Sequence, residues 1–380
     1  MGMLPYNGEH GAFRKRLREF VINEVTPNAD RWEADHQVPR EAWKKMGQAG
    51  FLCPGVSPEY GGMGGDFLYS VISIEEMAIS NQAGLMSQLH SDIVVPYIES
   101  WGSEKQKRKY LPGCVSGDLI TAVAMTEPDA GSDLASMACT AVEENGEVVI
   151  NGSKTFISNA VNCGLLVLAA RDPSVENPYH AISLYLVEEG TPGFAKGNKL
   201  EKMGMHSQDT AELFFTNCRI PSENQLGGKG EGFLMLMQKL QQERLVCAIW
   251  GVAIAERILD WTVEYCKDSR IGEKPLSKFQ AVQFTISEMA TETTMSRTFI
   301  EKLVVDHMAG NNIVKETSMA KYQSSDMANR IVNQCMDLTG AFANDESCIL
   351  ARAFRDLRVM PIFAGTNEIM KSIIAKSMNL

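Results

Sequence analysis

No apolar run in this chain approaches the length needed to cross a bilayer. The longest, residues 245–255, is far short of the roughly 20 residues that a helical span requires. No basic segment followed by an apolar core stands at the start, so no secretory leader is expected. The nine cysteines include no Cys-x-x-Cys pair. Their odd number and wide scatter fit reduced thiols in a cytosol, and neither a disulfide framework nor a zinc site. Positive charge is in deficit: 36 Lys and Arg against 47 Asp and Glu leave a net charge of −11. That disfavours non-specific nucleic-acid binding and suits a soluble enzyme with acidic faces. Internal repeats and low-complexity tracts are also missing. What remains is an ordinary globular composition, 44% hydrophobic over 380 residues, long enough for two or three domains or one large composite.

The first third reads as helical. Phe13, Leu17, Phe20, Val21 and Val25 trace one apolar helix face, and Pro27 predicts its end. Residues 39–49 predict a second helix, and the glycines between 54 and 65 a loop. Helical spacing returns over 70–88 and again over 93–109, with a stop at Gly102 and an N-cap at Ser103. The basic run from Lys105 to Lys109 reads as a solvated face. From Thr121 the pattern changes to strands, over 121–125, 148–150, 165–170, 182–187 and 212–215. Asn145-Gly146 and Asn151-Gly152 are hairpin-type turn signals. From Phe233 helices return, over 233–267, 280–310, 314–339 and 346–359. The expected architecture is α+β: a helical domain over 1–120, a small β barrel or sandwich over 121–232, and a four-helix bundle over 233–380.

Residues 121–133 hold the most informative local chemistry. An apolar strand breaks into Thr126-Glu127-Pro128-Asp129-Ala130-Gly131-Ser132-Asp133. Pro128 stiffens the turn, Gly131 permits close approach, Thr126 and Ser132 supply hydroxyls, and the loop supplies free N–H groups. Such a loop suits a planar heteroaromatic ligand or a phosphate, and equally an ordinary turn between strands. On the long helix, Glu243 lies seven after Leu236, three after Leu240, four before Cys247 and seven before Trp250. It is a carboxylate on an apolar stripe. Spacing leaves two readings open, a proton acceptor and a helix-surface or Arg-paired glutamate. His90 has no companion ligand spaced with it and reads as a hydrogen-bonded structural residue.

The α–β–α order combines with four words: Met125 to Asp133, Asn151 to Asn159, Gln242-Glu243-Arg244-Leu245, and Pro361 to Met370. Together they resemble the acyl-CoA dehydrogenase family over essentially the whole chain, with the third word closest to the long-chain and isovaleryl branches. The resemblance implies FAD as cofactor, α,β-desaturation of an acyl-CoA thioester, electron transfer to an electron-transferring flavoprotein, and a homotetramer. Charge, apolar-run length and ligand spacing lead us to expect no nucleic-acid or membrane partner and no metal. Glu243 would be the base, because many members carry theirs at the position of Ala364 here, and alanine accepts no proton. Met125, Thr126, Phe156 and Ser158 would meet the isoalloxazine, Ser132 the diphosphate and CoA, and Thr366 and Glu368 the flavin from the C-terminal loop. Gln280 would reach the FAD of a neighbouring subunit, and Arg270 its diphosphate half. Arg244, Ala364 and Gly365 would line the CoA thioester.

Asp92 has two readings, a helix N-cap and a second acid/base group facing a compact or cyclic acyl chain. The substrate class implied is therefore long-chain or branched, or alicyclic such as a cyclohexane- or cyclohexene-carboxyl-CoA. Alternatives within the fold are a flavin oxidase or monooxygenase and a non-catalytic flavin-binding member. The chain departs from the family pattern at Asp129, where glycine is usual. It departs again at Ser269 to Glu273, where arginine is displaced and phenylalanine missing, and at Asp337 to Ala341. The last two bear on the adenine half of FAD.

Overall fold

A computed structural model describes residues 2–380. Helix α1 (Gly8–Phe20) starts where the Asn7 side chain accepts the N–H groups of Glu9 and His10, and the His10 ring accepts the Asn7 N–H in return. Phe13, Leu17, Val21 and Val25 are buried, as their spacing predicts. Pro27 does not end the helical run. The chain passes through a π turn (Val21–Val25) and a 3-10 turn (Thr26–Asn28) into α2 (Ala29–Ala34). Thr26 N–H bonds back to Val21, so the missing proline donor falls where the register is already changing. Helix α3 spans Arg40–Gln48. Helix α4 (Phe67–Ala78) stops short of Gln88. Asn81 takes a φ of 51° there, and the Gln82 side chain accepts the N–H groups of Gly84 and Leu85, a local competitor to the helix ladder.

A π turn (Leu89–Val94) leads into α5 (Val95–Trp101), and α6 (Glu104–Ser116) begins at Ser103 with a reciprocal cap to Gln106. The basic first turn of α6 is solvated, as expected. Lys105 pairs with Glu223 and Lys109 with Glu188, both on the strand-bearing segment.

Strands β1 (Thr121–Ala124), β2 (Thr140–Glu144), β3 (Glu147–Ile157) and β4 (Leu165–Arg171) follow. After the short α7 (Pro178–Ala181) come β5 (Ile182–Glu188), β6 (Phe194–Lys199), β7 (Ala211–Pro221) and β8 (Gln225–Leu226). All eight join one sheet in the order β6-β7-β3-β2-β4-β5-β8, with β1 parallel to β4 off that path. Leu165, Val167 and Ala169 join the core shared with the helices, while Leu166, Leu168 and Ala170 join a separate inner core with Ile150, Leu213 and Phe215. The single sheet thus curls over its own core. Asn145-Gly146 is the expected turn, with φ of 54° and 84°. Asn151-Gly152 is not a turn. It sits inside β3 at a bulge, where a Cβ on Gly152 would lie 2.7 Å from the Cys139 Cα. The sequence pattern misses β2 and β6, because both carry few inward apolar residues and are held by main-chain pairing.

Helix α8 (Gly232–Asp268) carries the long buried stripe. A small hairpin of β9 (Arg270–Ile271) and β10 (Lys274–Pro275) leads to α9 (Gln280–Met308), α10 (Val314–Thr339), α11 (Ile349–Leu357) and α12 (Asn367–Ser377). Helix α10 packs on α8, α9, α11 and α12. The sequence pattern misses α12, which buries only Asn367 and Met370 and is started by the Thr366 hydroxyl accepting the Ile369 N–H.

Candidate active site

The ends of β1 and β3 are bound together from inside the protein. Thr155 N–H donates to the Thr126 carbonyl at 3.0 Å. Lys154, 0% exposed, donates from Nζ to the Met125 carbonyl at 2.9 Å and to Glu127 Oε1 at 2.7 Å. The Glu127 carboxylate also accepts the N–H groups of Ala138 and Cys139, at 2.6 and 3.0 Å. Burial lowers the Lys154 pKa, and Glu127 pulls it back up. Beyond this clamp β3 turns outward. Phe156 sits at φ 56° with 68% of its surface exposed, an unusual backbone for an aromatic residue. Ser158 is half-buried. Asn159 anchors the end of the segment, donating to the Thr121 carbonyl at 3.2 Å and receiving Gln208 Oε1 on its N–H at 3.0 Å. The two flavin-type words, with Met125, Thr126, Phe156 and Ser158, therefore share one rim. An open aromatic face beside hydroxyls and a free N–H is chemistry that a planar heteroaromatic fits. Ser132 follows on an exposed loop.

Glu243 on α8 is 5% exposed. Tyr97 of α5 donates its hydroxyl to Oε1 at 2.8 Å. Burial pushes the carboxyl up to about 7, against the Tyr97 hydrogen bond and the cations Arg244 and Lys239, which pull it down. A helix-surface glutamate is thus excluded, and Glu243 makes no salt bridge among the described residues. Its neighbour Arg244 is buried without a carboxylate partner. Nη1 lies 3.4 Å from the Ser318 hydroxyl, and Nε makes no hydrogen bond.

Asp92 is not a helix cap. It lies inside the π turn that runs unbroken into α5, 5% exposed, and accepts the Ser70 hydroxyl at 2.5 Å. Burial raises its carboxyl to about 7, with Ser70 lowering it and Glu99 raising it further. The Asp92 carbonyl accepts the Gln242 side-chain amide at 2.6 Å, which ties this turn to the residue before Glu243. His90 is structural, as expected. Nδ1 accepts from Thr121 N–H at 3.1 Å and Nε2 donates to the Cys114 carbonyl at 2.9 Å, a tautomer assigned from the network. Burial lowers its pKa to about 4, so the ring stays neutral.

The C-terminal loop turns at Ala364 and Gly365, with φ of 52° and 87°. Lys321 of α10, buried, donates to the Gly365 carbonyl at 2.7 Å and to Asn367 Oδ1 at 3.1 Å. Burial lowers its pKa to about 8. Thr366 caps α12, and Glu368 stands exposed in the first turn. Tyr97, Lys154 and Lys321 are site residues that sequence reasoning misses. For the two lysines the available signal was a lysine inside an otherwise inward-facing segment.

Arg270 and Gln280 are not drawn into this site. Arg270 is exposed on β9 and bonds the Glu273 carbonyl at 2.7 Å, closing its own turn. Gln280 is exposed at the start of α9. No cluster of three or more metal-ligating side chains occurs among the described residues, and no helix is long and apolar enough to cross a membrane.

Known proteins match this chain along its whole length. Residues 7–118, 122–218 and 230–379 match the N-terminal, middle and C-terminal domains of acyl-CoA dehydrogenases. The chain is 40% identical to the mitochondrial long-chain specific acyl-CoA dehydrogenase of Mus musculus, over 98% of this chain and 86% of that protein. It is 32% identical to the mitochondrial isovaleryl-CoA dehydrogenase of Oryza sativa subsp. japonica, over 99% of this chain and 92% of that one. The crystal structure of an acyl-CoA dehydrogenase from Geobacillus kaustophilus superposes with a TM-score of 0.98 at 47% identity, covering both chains completely. With its three-domain α+β fold and the match along its full length, the chain belongs to the acyl-CoA dehydrogenase family, oxidoreductases that use FAD to oxidise acyl-CoA thioesters.

Proposed function

We propose that the protein desaturates an acyl-CoA between its α and β carbons, with Glu243 as the base. The observation that carries this reading is a buried carboxylate, held near neutral pKa by its apolar surroundings, in a chain whose Ala364 accepts no proton. Glu243 takes the α-proton. A bound FAD would supply the acceptor for the hydride lost from the β-carbon, so that loss of the α-proton to Glu243 and of the hydride together would leave an α,β double bond in the thioester product. Ala364 and Gly365 expose backbone N–H groups for the thioester oxygen. Arg244, buried and unpaired, and Ser132 serve the CoA moiety. Met125, Thr126, Phe156 and Ser158 bind the isoalloxazine, with Thr366 and Glu368 closing on it from the C-terminal loop. Glu243→Gln keeps shape and hydrogen bonding but loses the proton acceptor. We expect it to bind FAD and acyl-CoA and to lose at least about 10²-fold in turnover. Near-wild-type turnover would remove Glu243 from the mechanism.

Asp92 supports an alicyclic acyl group, such as a cyclohexane- or cyclohexene-carboxyl-CoA, over a long or branched chain. A second buried carboxylate, on a turn whose main chain accepts the Gln242 side chain, would give a ring a proton acceptor beyond the reach of the first. The domain division lies at 120/121 and 232/233. Arg270 and Gln280, exposed and outside the site, serve FAD held by a neighbouring copy of the chain in a homotetramer. Sedimentation of the FAD-loaded protein as a monomer would refute that assembly. An electron-transferring flavoprotein takes the electrons in the cytoplasm, and faster reoxidation by oxygen in stopped flow would point to an oxidase instead.

A further inference from the structure

We propose that Lys154 is a positioning residue that sets the strength of the Thr126 N–H as a donor to the flavin. The inference rests on the reading that Met125 and Thr126 meet the isoalloxazine. A fully buried ammonium is costly compared with an apolar residue of similar volume, even when paired. Here its partners show where it acts. One is the Glu127 carboxylate at 2.7 Å, which balances its charge. Another is a main-chain oxygen, that of Met125, at 2.9 Å, and the Met137 sulfur lies 4.0 Å away.

That oxygen belongs to the peptide unit joining Met125 to Thr126. The unit is trans, since no cis peptide occurs among the described residues. In a trans unit C=O and N–H point in opposite directions. With the oxygen turned inward to Lys154, the Thr126 N–H is turned outward, and it makes no hydrogen bond within the described chain. The next peptide unit is held by Thr155 N–H on the Thr126 carbonyl, and Glu127 is held by two backbone N–H groups. The donor is therefore clamped from behind with little freedom to turn away. An ammionium-type charge on the carbonyl withdraws electron density through the peptide, which makes the N–H a stronger donor. A bound flavin that took up a hydride would gain negative charge, and a pre-oriented donor facing it would favour the reduced form without reorganisation. Apart from holding the loop, Lys154 thus favours the reduced over the oxidised cofactor.

The test uses the FAD-loaded protein. The double variant Lys154→Gln with Glu127→Gln retains a hydrogen-bonding pair and removes both charges. We expect it to keep FAD, while the ratio of affinities for reduced and oxidised flavin falls about tenfold. For this two-electron couple that is a drop in midpoint potential of about 30 mV. Turnover should fall with KM unchanged. A double variant with full FAD and the wild-type potential overturns the proposal. Lys154→Met, which leaves Glu127 on its two N–H partners, is measured in the same way and carries the same expectation. If neither variant holds FAD, the pair is a structural staple alone and the proposal falls. Phe156→Ala separates this from the reading beneath it: unchanged FAD affinity in that variant would show that the flavin does not lie on this rim.

Discussion

Replacing Tyr97 with Phe isolates the electrostatics of Glu243. The change removes one oxygen and leaves the packed ring in place. It also removes the one hydrogen bond that the Glu243 carboxylate makes among the described residues, 2.8 Å from the Tyr97 hydroxyl. That bond favours the ionised carboxylate, so its loss raises the pKa from about 7. A hydrogen bond to a charged group contributes about 1.5–3 kcal/mol, and about 1.4 kcal/mol corresponds to one pKa unit. The expected rise is therefore about 1–2 units. Only the ionised base removes the α-proton, so kcat/KM at neutral pH should fall about tenfold or more and recover in alkali. The assay is the pH profile of kcat/KM with an acyl-CoA and an artificial electron acceptor, at matched FAD occupancy. An acid limb that stays in place or moves down would refute the argument. The same group shapes stability. Its folded pKa of about 7 exceeds the ordinary 4.5. Its stabilising contribution is therefore complete below the unfolded pKa and is lost as pH rises through the folded one, by about 3 kcal/mol at most. Tyr97→Phe should deepen that loss and lower the alkaline melting temperature.

Two further substitutions test the residues around Glu243. Asp92→Asn retains a hydrogen-bond acceptor for Ser70 and removes the charge. With Asp92 as a second proton acceptor, turnover of a ring-bearing acyl-CoA should drop about 10²-fold and that of straight chains by much less. A small and equal effect in steady-state kinetics on both would assign the protein a long or branched substrate. Lys321→Met strips the partly buried Gly365 carbonyl of its 2.7 Å donor. Leaving that acceptor unpaired costs about 1–3 kcal/mol, so kcat/KM should fall about tenfold with FAD still bound. Unchanged kinetics would separate Lys321 from the thioester-facing turn.

Several features needed no tertiary information. The cap at Ser103, the turn at Asn145-Gly146 and the apolar stripe of α8 depend on contacts a few residues apart, where periodicity and local hydrogen bonding decide the outcome. The family words likewise stand in the sequence. Local signals fail where a distant partner alters the balance. Pro27 ends a helix unless the register has already changed, and Asn151-Gly152 is a turn unless a neighbouring strand occupies the space of a side chain. Asp92 looks like a cap until Ser70 and Gln242 are found beside it. The sequence determined that Glu243 lies on an apolar stripe. Only the tertiary structure decided that its carboxylate is buried against Tyr97, 146 residues away, and that Lys154 and Lys321 turn their charges inward onto main-chain carbonyls. The pKa of an ionisable group is set by the solvent it loses and the partners it gains, and both come from chain segments remote in sequence.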